Sequence, residues 1–528
     1  MSSHRLGRVL LLLAAFTLLL RLALVARQAL WADEFFSIAM ATGHSLEHPA
    51  AEAQPALGDF VEGNQARPAK AWEQYMEFGP RPASAARVIR AVQLSDTSPP
   101  LYYLLLSGFM RVAGTSDAAL GLFSLFWAIA TLPLIWYLAR AAQDERAAVW
   151  ATALYAIAPM SVYYSTEGRM YSLVWFLAAA LAWVTLRLHR EGARPIDLAW
   201  WIVVAAAGLL THYFFIFVIA ATALWLLLEP GRLRRWVPFA LGAVVIVIVL
   251  PWFVRVPETL AAWRVTGNWL AGRPPLLSLL TAPFSLASGS LGVPGIWSAP
   301  PVLSSLIALA LLALVVLVVL RRAFPWGTPA ARLLWLWLAA AAIGPVVFDI
   351  LRNTATSNIS RYAISTLPAA MVLVGMALNR LALRPALIWA LVLLLIWSPA
   401  LALFCWGTSR AGEPFAAVAN QAISQLDPGG LVLVHGIPSS VIGIARYLPP
   451  DTPVAAWVGQ LGERQVPRDI ERLIAGYPEV VVIRIHHVGE PMPELDWLAA
   501  NAQPADQWRM QTARMYYYRP LTGSVFTR

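Results

Sequence analysis

The sequence is poor in charge. Only 13% of its 528 residues are Asp, Glu, Lys or Arg, against 59% hydrophobic, and the mean hydropathy is +0.62. A soluble globular protein of that balance would leave large apolar patches in water, and disordered chains, collagens and coiled coils have other compositions. Cysteine is nearly absent. Cys405, the one in the chain, lies inside an apolar run, which excludes an internal disulfide and a thiolate metal cluster. There is no internal repeat or low-complexity tract, and neither G-x-S-x-G nor GxGxxG occurs. What the chain has in abundance is apolar runs of about 20 residues, the length that crosses a hydrocarbon core of about 30 Å. The basic surplus, 39 against 29 acidic residues for a net +10, would suit nucleic acid in a soluble protein. Here it falls largely in short loops between apolar runs, so the expected partner is the lipid bilayer and not nucleic acid.

Arg5 and Arg8 precede a Leu-rich stretch that continues from Val9 past Arg21 to Leu30, long enough to read as an uncleaved first helix instead of a signal peptide. Arg21 and Arg27 lie towards its far end, where arginines reach the headgroups. The run Leu101 to Val112 covers about 18 Å, too little to cross, and is expected in the interface. If it does not cross, Arg140/Arg146, Arg187/Arg190/Arg194, Arg232/Arg234/Arg235, Arg321/Arg322 and Arg380/Arg384 share the side of Arg5 and Arg8, as the positive-inside bias requires. The other spans read as 118–138, 147–163, 170–188, 197–210, 213–229, 236–254, 301–320, 333–350, 361–380 and 385–405, each near the expected length except the shorter fifth and sixth (197–210 and 213–229), which brings the total to about eleven.

The expected fold is therefore a polytopic α-helical membrane protein of about eleven transmembrane helices with a small C-terminal extracytoplasmic α/β domain. Residues 1–405 form the membrane module, with long extracytoplasmic loops at 31–117 and 255–300, and 410–528 form the outer domain. The N-terminus is cytoplasmic. In the tail, Leu431 to His435, Val454 to Val458 and Val480 to Ile485 read as short buried strands, with helices near 438–448 and 467–476.

With this topology three polar groups fall on one membrane face. Asp33 and Glu34 follow the first span. Adjacent side chains point about 100° apart on a helix, so the two do not share a proton; one does chemistry while the other orients it, or both are simply solvated. Tyr163 to Tyr171 joins the third and fourth spans. If helical, it sets Tyr164, Glu167 and Tyr171 on one face and Arg169 elsewhere; the plain alternative is an interfacial tyrosine belt with one ion pair. Arg361 and Tyr362 open the tenth span from outside. An arginine there runs against the charge bias, and its fork binds phosphate oxygens in bidentate fashion, unless it only anchors the helix at the interface. His212, between two spans on the same face, adds an imidazole that is more often structural than catalytic. No metal signature is present.

The Asp33-Glu34 pair, the run Asp96-Thr97-Ser98-Pro99-Pro100-Leu101-Tyr102-Tyr103, the Tyr164–Tyr171 stretch and Arg361-Tyr362 together resemble the GT-C class of integral-membrane glycosyltransferases. The likeness is to the branch that holds protein O-mannosyltransferases, the aminoarabinose transferase acting on lipid A and their bacterial relatives. It covers residues 1–405, with the motifs in order. The resemblance implies a glycosyltransferase of the cell inner (plasma) membrane that uses a polyprenyl-phosphate sugar donor and a glycan, lipid or protein acceptor. It implies Asp33 as the catalytic carboxylate, Glu34 as its neighbour and Glu167 as the acidic residue of the second outer loop. Arg361, Tyr362, Arg169, Tyr164, Tyr171, Asp96 and His212 are then substrate-binding candidates. No cofactor is certain, and a divalent cation is left open. Relatives often carry histidine directly before the double proline, where this chain has Ser98.

The chemistry suits these residue types. An acceptor loses a proton while the departing lipid phosphate gains charge, so the site needs a base and a cation, and Asp33 and Arg361 meet those needs. A positioned base contributes about 10²–10⁴-fold, and electrostatic stabilisation of the leaving phosphate a comparable amount. The rival reading is a transporter or flippase of a lipid-linked sugar. Transporters often show internal repeats and mid-membrane binding groups, neither of which is seen here.

Overall fold

A computed structural model describes residues 3–47, 53–80, 82–96, 98–255, 326–407, 410, 413–458, 464–486 and 492–526. The expected span 301–320, and the loop 255–300 apart from its first residue, lie outside them. The described chain forms two compact units. One takes residues up to Ala26, Gly121–Arg255 and the described part of Asn268–Gly407; the other takes Arg27–Leu120 and the described part of Thr408–Arg528.

The first unit is helical because its sequence is a succession of apolar runs whose backbone groups must be satisfied within each run. Among the described residues, Asp117–Ala142, Tyr171–Glu191, Pro329–Arg352 and Leu383–Trp406 are long and apolar enough to cross a membrane. Pro195–Leu209, Phe215–Leu228, Val237–Phe253 and Thr366–Arg380 are shorter apolar helices. Outward faces are apolar as well: Phe239, Val247, Leu391 and Leu395 are all exposed. Helix starts carry ordinary signals. Asp144 caps Glu145–Ile157 by accepting from Ala147 N at 2.8 Å, and Thr328 caps Pro329–Arg352 through Ala331 N. The Asp144 carboxylate also accepts from Asn379 Nδ2, which ties the end of Thr366–Arg380 to the same helix start. Those two helices touch at Gly375, where a Cβ would lie 2.6 Å from Ala151 N, so only glycine fits.

Three expectations for this unit change. The run 147–163 is not one helix: Glu145–Ile157 stops at Ala158, because Pro159 disfavours a helical residue before it, and a short helix Pro159–Tyr164 follows. Residues 361–365 do not begin the next span. Ser360–Ala363 is a 3₁₀ turn, and the helix starts at Thr366. Arg21 does not reach for headgroups. It is buried and donates to Ser165 Oγ at 2.9 Å, Ser161 Oγ at 3.1 Å and Ala156 O at 2.8 Å. A charge that finds this many acceptors inside protein has no need of the interface. Arg27 is exposed.

The second unit is built on a sheet of order β1-β3-β2-β4-β6-β5. Its centre is the expected one: β2 (Leu431–His435), β3 (Pro453–Trp457) and β4 (Val480–Arg484), with β2 parallel to both neighbours. Strands buried on both faces read as continuous Val/Leu/Ile runs, which is why these three are visible in the sequence. Helices Pro438–Tyr447 and Arg468–Ile474 also fall where expected. The edges are not visible. β1 (Arg67–Pro68) comes from the first loop and pairs antiparallel with β3. β5 (Gln503–Met510) and β6 (Ala513–Arg519) form a hairpin on β4, and β5 is exposed almost throughout, so it shows no apolar alternation.

Residues 31–117, read as a loop of the membrane module, thus fold together with the tail. Asp117 accepts from Arg446 Nε and Tyr447 OH, each at 2.6 Å, and Trp72 Nε1 reaches Val454 O. The helix Ala32–Thr42 seats Phe35 against Phe415, with ring centroids 5.2 Å apart, and over Gly443, where a Cβ would lie 2.4 Å from the Phe35 ring. This packing fixes the helix whose first turn carries Asp33.

Candidate active site

In the second unit, the helix Ala32–Thr42 opens with both acidic residues in its first turn, where unpaired N–H groups and the positive end of the helix dipole favour them. Their environments differ sharply. Glu34 is fully buried; its Oε2 accepts from Trp31 N at 3.2 Å and lies 3.5 Å from Nε of the buried Arg410. Ala32 N donates to Glu413 Oε2 at 3.1 Å, and the other oxygen of Glu413 bonds His486. Glu34 therefore closes and anchors the helix start, while Asp33 is half-buried. Arg410, Glu413 and His486, all from the tail, were not anticipated. Nothing local marks them, because their partners lie more than 70 residues away in sequence.

Asp96, also in this unit, has a local task. Oδ1 accepts from Ser98 N at 3.1 Å and Ser98 Oγ at 2.9 Å, and Oδ2 from Tyr103 OH at 3.1 Å. It braces the turn into the helix Leu101–Ala113. Among the described residues, no group of three or more His, Cys, Asp or Glu side chains could hold a metal ion. A cavity of about 430 Å³ at the sheet edge, lined by Gly63, Asn64, Gln65, Ala66, Arg67 and Arg472, contains none of the expected site residues.

The first unit brings together the other expected residues. Helix Pro159–Tyr164 ends at Tyr164, and residues 165–170 are turns and bends, so the helical face expected for Tyr164, Glu167 and Tyr171 does not form. The rings meet nonetheless: Tyr164 and Tyr171 lie 4.9 Å apart edge to face. Glu167 and Arg169 are buried in the turn between them, which Arg21 holds through Ser165. From Tyr171 the aromatic row continues to His212 at 6.4 Å, to Tyr362 at a further 6.4 Å, and to Phe214 at 5.4 Å from Tyr362. The Arg361 guanidinium lies 6.0 Å from the Tyr362 ring centre.

His212 sits in the link between two helices. Burial first, then the nearby charges of Arg169 and Arg361, bring its pKa down to about 4. The ring is therefore neutral at pH 7. Phe214 N donates to Nδ1 at 3.3 Å, which leaves the proton on Nε2. Two arginines beside a neutral, aromatic-flanked imidazole make a cationic site with apolar walls, suited to a phosphate monoester or diester. Sequence reasoning missed how the Arg361 turn is held. Asp349 accepts hydrogen bonds from Thr354, Thr356 and Ser357, and Trp175 Nε1 donates to Ile364 O at 2.8 Å.

Comparison with known proteins shows what the chain is similar to. The crystal structure of ArnT from Cupriavidus metallidurans in the apo state aligns over 98% of this chain and 98% of its own, with a TM-score of 0.59 and 15% identity. ArnT from the same organism bound to undecaprenyl phosphate aligns over 97% and 98%, with a TM-score of 0.53 and 14% identity. At that identity the likeness is one of fold, and the structures that the chain resembles are GT-C-like. Residues 97–254 also match the family model described as dolichyl-phosphate-mannose-protein mannosyltransferase. No curated protein matches the sequence.

Proposed function

We propose that the protein transfers a sugar from a polyprenyl-phosphate-linked donor to a hydroxyl or amine acceptor at the extracytoplasmic membrane face. The observation that carries this reading is the pairing of Arg169 and Arg361 around neutral His212 at the ends of apolar helices. Such a site takes a lipid phosphate while the isoprenoid stays in the bilayer. The fold likeness to ArnT, solved with undecaprenyl phosphate bound, supports the same donor class.

In the proposed step the acceptor attacks the anomeric carbon and its proton passes to Asp33. The anomeric C–O bond breaks, and the electron pair leaves on the polyprenyl phosphate. Arg361 and Arg169 stabilise that developing charge, with Tyr164, Tyr171, His212 and Tyr362 lining the donor and Glu167 as the acidic residue beside it. Glu34 holds the helix that presents Asp33, and Asp96 shapes the approach. Lipid extraction from the purified protein followed by mass spectrometry tests the donor class. A co-purifying polyprenyl phosphate, and its release in step with sugar transfer, is the expected result; sugar-lipid movement without bond cleavage would support the transporter reading instead.

A further inference from the structure

We infer that Asp349 is a positioning residue for Arg361, an inference that rests on the donor-phosphate role proposed above. Asp349 is fully buried in the last turn of Pro329–Arg352, a helix long and apolar enough to cross a membrane. A carboxylate there is costly unless every lone pair is used, and the negative end of the helix dipole adds to the cost. Its donors all come from one short segment. Oδ1 accepts from Thr354 Oγ1 at 2.7 Å, Thr356 N at 2.8 Å and Thr356 Oγ1 at 2.6 Å; Oδ2 accepts from Ser357 N at 2.8 Å and Ser357 Oγ at 2.6 Å.

That segment leads directly into Arg361. Asn353 ends the helix with φ 54°, a left-handed residue that turns the chain back towards Asp349. On the far side of Arg361, Trp175 Nε1 donates to Ile364 O at 2.8 Å. The turn bearing Arg361 and Tyr362 is thus clamped before and after by two buried side chains from different helices. A long, flexible guanidinium gains affinity for phosphate when its backbone is already ordered, and Asp349 supplies that order without touching the ligand. A neutral residue does not suffice. Each carboxylate oxygen faces a backbone N–H, of Thr356 and of Ser357, so Asn at 349 sets an NH₂ group against one of them.

The test is Asp349→Asn in the full-length protein, read by binding of a polyprenyl monophosphate and by hydrogen–deuterium exchange over residues 354–364. The expected result is faster exchange in that segment and about tenfold weaker phosphate-lipid binding, with kcat lowered as well because Arg361 also stabilises the leaving phosphate. Placed on Arg361→Ala, the same substitution should weaken binding no further. Wild-type binding by a folded Asp349→Asn, or an equal loss in both backgrounds, overturns the inference. If Arg361→Ala alone binds the lipid as tightly as wild type, the donor reading falls; unchanged exchange in Asp349→Asn separately overturns the holding of the turn. Ser357→Ala removes one donor and leaves the buried charge in place, so it serves if Asp349→Asn does not fold; about threefold weaker binding is expected, and no loss overturns the inference.

Discussion

Arg21 donates from Nε to Ser165 Oγ at 2.9 Å, joining the first helix to the turn that carries Glu167 and Arg169. The same guanidinium also reaches Ala156 O and Ser161 Oγ, so it closes the gap left where the helix breaks at Ala158. Hydrogen bonds from a buried charge are each worth about 1.5–3 kcal/mol. Arg21→Met should lower stability by about 2–4 kcal/mol and weaken donor binding through the displaced turn, with Arg21→Lys recovering part of both. Thermal unfolding in detergent checks this, and a melting temperature unchanged by Arg21→Met would contradict it.

Asp33 and Glu34 should separate cleanly in a mutant comparison. Asp33→Asn keeps the size and hydrogen-bonding reach of the side chain but cannot take a proton, so transfer should fall by about 10²-fold or more while donor binding holds. Substantial turnover in purified Asp33→Asn would remove it as the base.

Glu34→Gln acts on the fold instead. It weakens the closure at Trp31 N and takes the negative charge from beside buried Arg410, so the cost is about 1–3 kcal/mol. Activity should fall less than in Asp33→Asn at a temperature where both proteins are folded. A stability equal to wild type would show that the pair contributes nothing.

Arg361→Ala should raise the donor Kd by about tenfold or more if the proposed charge-assisted contact to phosphate is lost with it. Loss of that charge also relieves the neighbouring imidazole, so the pKa of His212 should rise from about 4. Titration of His212 by NMR, using labelled histidine, reads this directly; a pKa that does not move would place Arg361 too far away to matter.

The His212 shift also sets a pH window. Its folded pKa, about 4, lies below the ordinary histidine value of 6.5, so the folded state resists protonation more than the unfolded chain does. The stability it contributes is complete above pH 6.5 and is lost as pH falls towards 4. His212→Gln should flatten that part of the stability profile. A profile in which both proteins lose stability identically between pH 6.5 and 4 would refute the assignment.

Much of this molecule can be read from the chain alone. Helices in lipid and strands buried on both faces impose apolarity on each residue in turn, so runs such as 118–138 and Leu431 to His435 announce themselves without reference to partners. The polar groups at Asp33, Tyr164–Tyr171 and Arg361 stand out for the same reason, as exceptions beside apolar runs. Tertiary structure decided what those exceptions do. Whether Arg21 seeks water or stays buried depends on Ser161, Ser165 and Ala156, more than 130 residues away. Asp349 looks like an ordinary charge at a helix end until the chain turns back and offers it five donors. The difference between Asp33 and Glu34 comes from Arg410 in the tail. Apolar burial is written residue by residue, whereas a buried charge is defined by its partners, and only the folded chain brings those partners within reach.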